Sequence, residues 1–153
     1  MEPNFRVQLK IRKPVTDVFD AVVKADRLSG YFVSKASGPL VEGVIVKWSF
    51  DEAPETYDVI VRHVIKNERI VFEWPANEGG YNTRVEMAFK TLDDGNTLVQ
   101  ISESGWRPTP EGIKSSYDNA GGWMHMLVCL KGYLEYGINL RAGGTGHACS
   151  QPN

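Results

Sequence analysis

Glu103 is the polar residue whose position in the sequence points most directly to chemistry. In the segment TLVQISES it shares one face of a predicted strand with Val99 and Ile101, which we expect to point into the core. A carboxylate that faces an apolar interior is costly unless it is paired or protonated. Three interpretations stay open: a hydrogen-bond anchor for a ligand, a general acid or base, or a structural group that is solvated at the cavity rim or pairs with Arg107 or a backbone amide.

The histidines and cysteines form no metal or nucleophile motif. His63 lies in a predicted strand, His125 on the outer face of a predicted helix, and His147 in a loose C-terminal segment. No two of the histidines have the H-E-x-x-H spacing of a zinc site, and we expect Cys129 to have no nearby partner. The sequence also lacks a G-x-S-x-G elbow and a phosphate-binding glycine loop. We therefore expect no metal and no cofactor, and Glu103 is the weak candidate for a catalytic residue.

Large apolar side chains recur on one face of the predicted strands and on the last predicted helix. Their alternation along the strands predicts that they point toward the helix. Such residues ordinarily form the core, but rigid aromatic rings also line concave apolar sites that bind small molecules. The inward-facing set consists of Trp48, Phe50, Phe72, Trp74, Met87, Phe89 and Trp123.

The elements that position these residues follow from the hydrophobic periodicity. FRVQLKI (5–11) alternates as a strand, and the segment that Pro14 opens has helical spacing. A run of strands follows, in which KNER, NEGGY and DDGN mark turns, and such short turns indicate an antiparallel meander. The chain then forms a long helix, whose predicted apolar stripe is Ile113, Tyr117, Ala120, Trp123, Leu127, Leu130 and Leu134.

Composition and charge exclude several classes of function. The 153 residues include 17 Lys or Arg and 19 Asp or Glu, so the formal net charge is -2. A nucleic-acid-binding protein would show a basic stripe, and none is visible. No apolar run approaches the ~20 residues of a membrane span, and the N-terminus lacks the pattern of a signal peptide. The two cysteines show no disulfide framework, which favours a cytoplasmic location.

The order of the elements predicts an α+β fold in which one curved antiparallel sheet wraps around a long C-terminal helix. We expect a single domain over residues 1–140. The segment RAGGTGHACSQPN (141–153) has no periodicity and is rich in small residues, so we expect a flexible C-terminal tail.

Four segments, in this order, make the chain similar to a known superfamily. They are PVTDVFDAVVKADRLSGYF (14–32), ERIVFEW (68–74), GNTLVQISESGW (95–106) and NAGGWMHMLVCLKGYLEYG (119–137). Together they resemble the SRPBCC superfamily, whose members have the START-like, or birch-pollen-allergen-like, helix-grip fold. Within it, the chain is most similar to the branch of the activator of heat-shock-protein ATPase. The resemblance covers about residues 5–140.

The resemblance implies a deep cavity between the concave face of the sheet and the long helix. The inward-facing set named above would line it. The first turns of the helix would face its open end. The further lining residues that we expect are Glu103, Trp106, Tyr117, Ala120 and Leu127.

Three functions stay open for such a cavity. The interpretation that we favour is binding of an apolar or aromatic small molecule. The first alternative is an enzyme of the cyclase or hydrolase kind, which the superfamily also contains, with Glu103 as acid or base. The second alternative is a co-chaperone-like interaction module. A hydrophobic small molecule is therefore the expected partner, a homodimer stays open, and contact with a chaperone is less favoured.

Overall fold

The computed structural model describes residues 2–142 and has the predicted α+β architecture. One strand and two helices are followed by six strands and a long helix. The elements are β1 (Asn4–Ile11), α1 (Val15–Val23), α2 (Ala25–Leu28), β2 (Lys35–Ala36), β3 (Ile45–Ser49), β4 (Thr56–Ile65), β5 (Arg69–Pro75), β6 (Asn82–Thr91), β7 (Thr97–Ser104) and α3 (Pro110–Tyr136).

The strands form one curved antiparallel sheet in the order β1-β7-β6-β5-β4-β3-β2. Strands β2 to β7 follow one another as a meander, and β1 closes the order by pairing with β7. Phe5 on β1 and Val85 on β6 lie opposite Glu103 on its two sides. The concave face of the sheet packs against α3, which confirms the predicted helix-grip fold.

The core fills the space between the sheet and α3, and its strand positions confirm the predicted alternation. Val85, Met87 and Phe89 on β6 are at most 4% exposed. Val99 and Ile101 on β7 are at most 1% exposed. Because burial of a side chain of this size contributes about 1.5–3 kcal/mol, these alternating positions determine which face of each strand turns inward.

The ends of α3 lie at residues suited to terminate a helix. Thr109 caps its first turn, since the Thr109 Oγ1 accepts a hydrogen bond from the Gly112 backbone N–H at 3.1 Å. Pro110 occupies the first helical position, where no backbone N–H is needed. Gly137 ends the helix with a φ of 68°, a left-handed conformation that favours glycine.

The predicted apolar stripe of α3 is wrong in its first turns. Ile113 is 41% exposed and Tyr117 is 73% exposed, whereas Ser115 and Ser116 are buried. The helix approaches the preceding loop closely here, because a Cβ atom on Gly112 would lie 2.0 Å from a backbone oxygen of that loop. Small residues therefore occupy the inner face, and the larger apolar ones face outward.

From Trp123 onward the predicted stripe is correct. Trp123, Leu127, Leu130 and Leu134 are all buried. The sequence did not predict β2, because a two-residue strand has no periodicity. Of the predicted tail, Arg141 and Ala142 are described; the rest of it lies outside the described residues, and the domain limit at residue 140 stays a prediction.

Candidate functional site

Glu103 is 1% exposed, and four neutral side chains donate hydrogen bonds to its carboxylate. Oε2 accepts from Trp74 Nε1 at 3.0 Å and from Thr83 Oγ1 at 2.6 Å. Oε1 accepts from Trp123 Nε1 at 2.8 Å. The Asn119 Nδ2 lies 3.1 Å from both oxygens. The carboxylate is thus satisfied without a cation among these partners.

The chemistry of the donors indicates the form of the carboxyl group. An indole nitrogen and an amide nitrogen only donate hydrogen bonds, so the arrangement suits an ionised carboxylate that only accepts them. The interpretation of Glu103 as a solvated rim group is wrong, since the residue is 1% exposed. Its bonds come from the side chains named above and not from Arg107 or a backbone amide, and Arg107 stacks on Tyr81 at 4.3 Å from the ring centroid. Glu103 instead orients the two indoles.

The elements bring these partners together from distant parts of the sequence. Trp74, Thr83 and Glu103 lie on the adjacent strands β5, β6 and β7. Asn119 and Trp123 are four residues apart on α3 and therefore share one face of the helix. The network ties the middle of α3 to three strands at one end of the concave face.

The indoles of Trp74 and Trp123 form the floor of a cleft. Their ring centroids are 5.3 Å apart and their planes are inclined by 36°. Phe32 lies 5.5 Å from Trp123 and 5.2 Å from Phe50, between centroids. Tyr57 lies 6.2 Å from Trp74. Aromatic pairs at such distances contribute about 0.5–1.5 kcal/mol beyond their burial, so the rings hold one another in place.

The cleft has a volume of about 210 Å³ and is bounded by these five rings together with polar residues. Asn77 and Asn119 lie along its wall and are joined by a hydrogen bond of 3.1 Å from Asn77 Nδ2 to Asn119 Oδ1. Gly122 lines it from α3, and a Cβ atom there would meet nothing within 4 Å. Glu52 and Arg141 lie at its mouth as an ion pair.

Three of the predicted cavity residues line this cleft, namely Phe50, Trp74 and Trp123. Glu103 lies behind the two indoles. Trp48 and Phe72 are 0% exposed and pack against Trp74 at 6.0 and 5.7 Å, so they support the cleft from the core.

The other predicted cavity residues do not line the cleft. Met87 and Leu127 are fully buried core residues, and Phe89 packs edge-on against Phe19 at 5.1 Å. Trp106 stacks against Phe5 at 5.6 Å. Tyr117 points to solvent, and Ala120 is half-buried on the neighbouring helical face. Met87, Phe89, Trp106 and Leu127 are thus core residues, and the deep cavity expected between the sheet and the helix stays a prediction.

Several cleft residues were not predicted from the sequence. Phe32 follows α2, Tyr57 lies on β4, and Asn119 lies one helical turn before Trp123. The spacing of Asn119 from Trp123 is a signal that would have found it. No sequence signal pointed to Arg141, because its position depends on how the chain turns after α3.

The cysteine and histidine near the end of α3 form no reactive pair. The expectation that Cys129 has no nearby partner is wrong, since its Sγ lies 3.6 Å from His125 Nε2. Cys129 is nevertheless 0% exposed, and its burial raises the pKa of the thiol. A thiol with a raised pKa is a poor nucleophile. Across residues 2–142, no group of three or more His, Cys, Asp or Glu residues is placed to hold a metal ion. His147 and Cys149 lie outside the described residues.

The curved antiparallel sheet around α3 is the helix-grip fold of the SRPBCC superfamily. The model of one family within it, described as "Activator of Hsp90 ATPase homolog 1-like protein", matches residues 12–135. The chain therefore belongs to the family of activator of Hsp90 ATPase homolog 1-like proteins. No curated protein matches the sequence.

Solved structures with the same fold are similar over most of the chain. Protein SSP2350 from Staphylococcus saprophyticus is 24% identical with a TM-score of 0.77, over 91% of this chain and 96% of that one. The Aha1 dimer from Colwellia psychrerythraea is 23% identical with a TM-score of 0.74, over 88% and 98%. DynU16, a putative protein in the dynemicin biosynthetic locus, is 23% identical with a TM-score of 0.78, over 88% of this chain and 48% of that one.

The described part of the chain offers no membrane-spanning helix. None of its helices combines the length with the apolar character that a bilayer crossing requires.

Proposed function

We propose that this domain binds a small molecule with an aromatic or otherwise largely apolar body in the cleft above Trp74 and Trp123. The observation that carries the proposal is the indole pair, whose two Nε1–H groups are both held by the buried carboxylate of Glu103. The rings cannot rotate without losing these hydrogen bonds. A preorganised apolar surface binds a flat ligand at a lower entropic cost than a mobile one.

The dimensions of the cleft set the size of the ligand. Engineered protein cavities of about 150 Å³ accept benzene, so a cleft of about 210 Å³ suits a body of one or two rings. Its open side allows a larger ligand to extend toward solvent. The amides of Asn77 and Asn119 would supply the few polar contacts that fix orientation in such sites.

Two glycines on α3 offer a matched test. Gly121 and Gly122 are adjacent and exposed, and a Cβ atom on either would meet nothing within 4 Å, but Gly122 lines the cleft. We would titrate wild type, Gly121→Leu and Gly122→Leu with a panel of one- and two-ring aromatics, following tryptophan emission and calorimetric heat. Binding by wild type and Gly121→Leu but not by Gly122→Leu supports the proposal. Equal affinities in all three proteins, or no binding by wild type at millimolar concentration, would contradict it.

The enzymatic alternative gives Glu103 a different role. An acid or base must come within hydrogen-bond reach of a substrate proton. Glu103 is enclosed by four donors, so we propose that it positions the indoles and does not exchange protons with a ligand. The geometry therefore favours binding over a Glu103-dependent cyclase or hydrolase reaction.

The co-chaperone alternative and the cytoplasmic location rest on the resemblance and on composition, and both stay predictions. A pull-down with the middle domain of the chaperone tests the first.

Self-association is supported by two observations. A structure of the same fold is described as a dimer, and the outer face of α3 carries exposed apolar residues. We propose a homodimer through this outer face of α3, which consists of Ile113, Tyr117 and Val128.

A further inference from the structure

The cleft already holds a cationic group, which comes from the protein itself. The Arg141 guanidinium carbon lies 5.7 Å from the ring centroid of Phe32 and 5.5 Å from that of Phe50. The same guanidinium forms an ion pair with Glu52, and the two side chains are only 18% and 17% exposed. A cation over two aromatic faces and against a carboxylate is the arrangement by which proteins bind organic ammonium and guanidinium groups.

The turn after α3 places Arg141 in this position. Gly137 reverses the chain, and the Ile138 backbone N–H donates to Gly132 O at 3.3 Å. Leu140 then packs on Gly132 so closely that a Cβ atom there would lie 2.7 Å from Leu140 Cδ1. The Asn139 Oδ1 accepts from the Arg141 backbone N–H at 3.1 Å. The guanidinium therefore reaches the cleft from a short segment after the helix and not from the core.

The charges around the cleft favour a cation over an anion. Among the described residues that line it, Arg141 carries the one positive charge. Glu52 carries a negative charge at the mouth, and Glu103 carries another behind the indole floor, bonded to neutral donors. The faces of the lining rings are also electronegative. An anionic ligand would have to displace Glu52 and enter a field that repels it.

We propose that the cleft is a binding site for an organic cation, an ammonium or guanidinium group attached to an apolar or aromatic body, and that Arg141 occupies it in the absence of ligand. The ligand's cation takes the place of the guanidinium over Phe32 and Phe50 and pairs with Glu52. Arg141 competes with the ligand, so its removal strengthens binding. This proposal rests on the proposed ligand-binding function and adds the charge of the ligand.

Three probes of similar shape and different charge test it: benzyltrimethylammonium, its neutral carbon isostere neopentylbenzene, and phenylacetate. Each is titrated into wild type, Arg141→Gln and Arg107→Gln by calorimetry and tryptophan quenching. Arg107→Gln is the control, because it removes the same charge from a cation–aromatic pair outside the cleft. We expect Arg141→Gln to bind the ammonium probe about tenfold more tightly than wild type, and Arg107→Gln to match wild type.

Glu52 provides the second arm of the test. In the Arg141→Gln background, Glu52→Gln should weaken binding of the ammonium probe and leave the neutral isostere unchanged. If Arg141→Gln does not fold, Arg141→Met takes its place, since it keeps an apolar stem of similar length. Circular dichroism and thermal unfolding establish folding before any titration.

The outcomes separate this inference from the proposed function. If the neutral isostere binds Arg141→Gln as tightly as the ammonium probe, or phenylacetate binds wild type more tightly, the cation site is disproved while aromatic binding stands. If Arg141→Gln does not gain affinity for the ammonium probe, the competitive role of Arg141 is disproved. If none of the probes and none of the aromatic panel binds any variant, the proposed function fails as well.

Discussion

At the scale of single residues, Glu103 brings a negative charge into the interior and surrounds it with neutral donors. Removing an ion from water costs several kcal/mol even after relaxation. Hydrogen bonds to charged groups contribute about 1.5–3 kcal/mol each, so the four donors around Glu103 offset a cost of that size. The same bonds orient Trp74 and Trp123, which makes Glu103 a positioning residue for the cleft.

Glu103→Gln preserves the shape of this side chain but replaces one acceptor oxygen by an amide donor. At least one buried donor then loses its partner, and we expect the free energy of unfolding to fall by about 3 kcal/mol. Chemical denaturation measures this change. Glu86→Gln is the control: Glu86 pairs with Arg69 and is 40% exposed, so the expected loss is below about 1 kcal/mol. Equal losses in the two variants would contradict the positioning role.

At the scale of elements, α3 approaches its neighbours closely in its first turn, whereas there is free space beside the part of the helix that lines the cleft. Gly112 lies against Arg107 O, whereas Gly121 and Gly122 leave open space beside the helix. The inner face of its first turns therefore carries small and polar side chains. One of these, Ser115, donates from Oγ to Glu78 Oε1 at 2.9 Å. The helix is thus positioned by close backbone approach at one end and by apolar burial at the other.

Alanine substitutions at Gly112 and Gly121 should have opposite effects on stability. At Gly112 the new methyl group would lie 2.0 Å from a backbone oxygen, so the first turn must shift and stability should fall by about 2 kcal/mol or more. At Gly121 the methyl group meets nothing, and the gain in helix propensity should raise stability by about 0.5–1 kcal/mol. Thermal and chemical unfolding of both variants check this. Two changes of the same sign would disprove the role of the close approach.

At the scale of the whole molecule, contacts between the first strand and the last helix connect the two ends of the described chain. Glu135 on α3 has a side chain that is 3% exposed, and it accepts hydrogen bonds from the Arg12 backbone N–H at 2.8 Å and from Lys131 Nζ at 2.6 Å. Burial opposes ionisation of Glu135, but these bonds and the Arg12 guanidinium outweigh it and lower the pKa of Glu135 from 4.5 to about 2.

This lowered pKa predicts acid sensitivity. The folded-state pKa lies below the unfolded one, so the contribution of Glu135 to stability is complete above pH 4.5 and is lost as the pH falls toward about 2. Glu135→Gln should therefore flatten the loss of unfolding free energy over this range. Asp94, whose pKa the Lys10 ammonium lowers to about 2, titrates in the same window. Asp94→Asn is therefore measured in parallel.

Added salt distinguishes the contributions of Glu135 and Asp94 to the pH dependence of stability. The Asp94 pair with Lys10 is 47% exposed on both sides and should be screened at high ionic strength. The enclosed Glu135 should keep its effect. If the free energy of unfolding of Glu135→Gln depends on pH as that of wild type does, the contact between Glu135 and Arg12 does not stabilise the fold as proposed.

The proposed homodimer gives a second prediction at this scale. Tyr117 is 73% exposed on the outer face of α3, so Tyr117→Lys should leave the fold intact but shift the sedimentation coefficient from dimer to monomer. Ile45→Lys is the control, since Ile45 is 57% exposed on β3, away from that face. A wild-type protein that sediments as a monomer at high micromolar concentration would contradict the proposal.

Hydrophobic periodicity in the sequence was enough to predict the order of the elements and the inward faces of the strands. Because side chains alternate between the two faces of a strand, the apolar positions determine which face turns toward the core. The buried residues on β6 and β7 agree with this, namely Val85, Met87, Phe89, Val99 and Ile101. The periodicity also predicted that Glu103 faces inward, because the residue continues that alternation. The family followed from the order of four motifs.

The hydrogen-bond partners of Glu103 and the position of the cleft depend on how the elements pack, which the sequence pattern does not show. The donors on Trp74, Thr83, Asn119 and Trp123 come from three elements, and their meeting depends on strand register and on the rotation of α3. The close approach at Gly112 constrains that rotation, and side-chain hydrophobicity does not encode it. Large aromatic residues have the same spacing in the sequence whether they fill a core or border a cleft. Only their packing in the folded protein distinguishes the two.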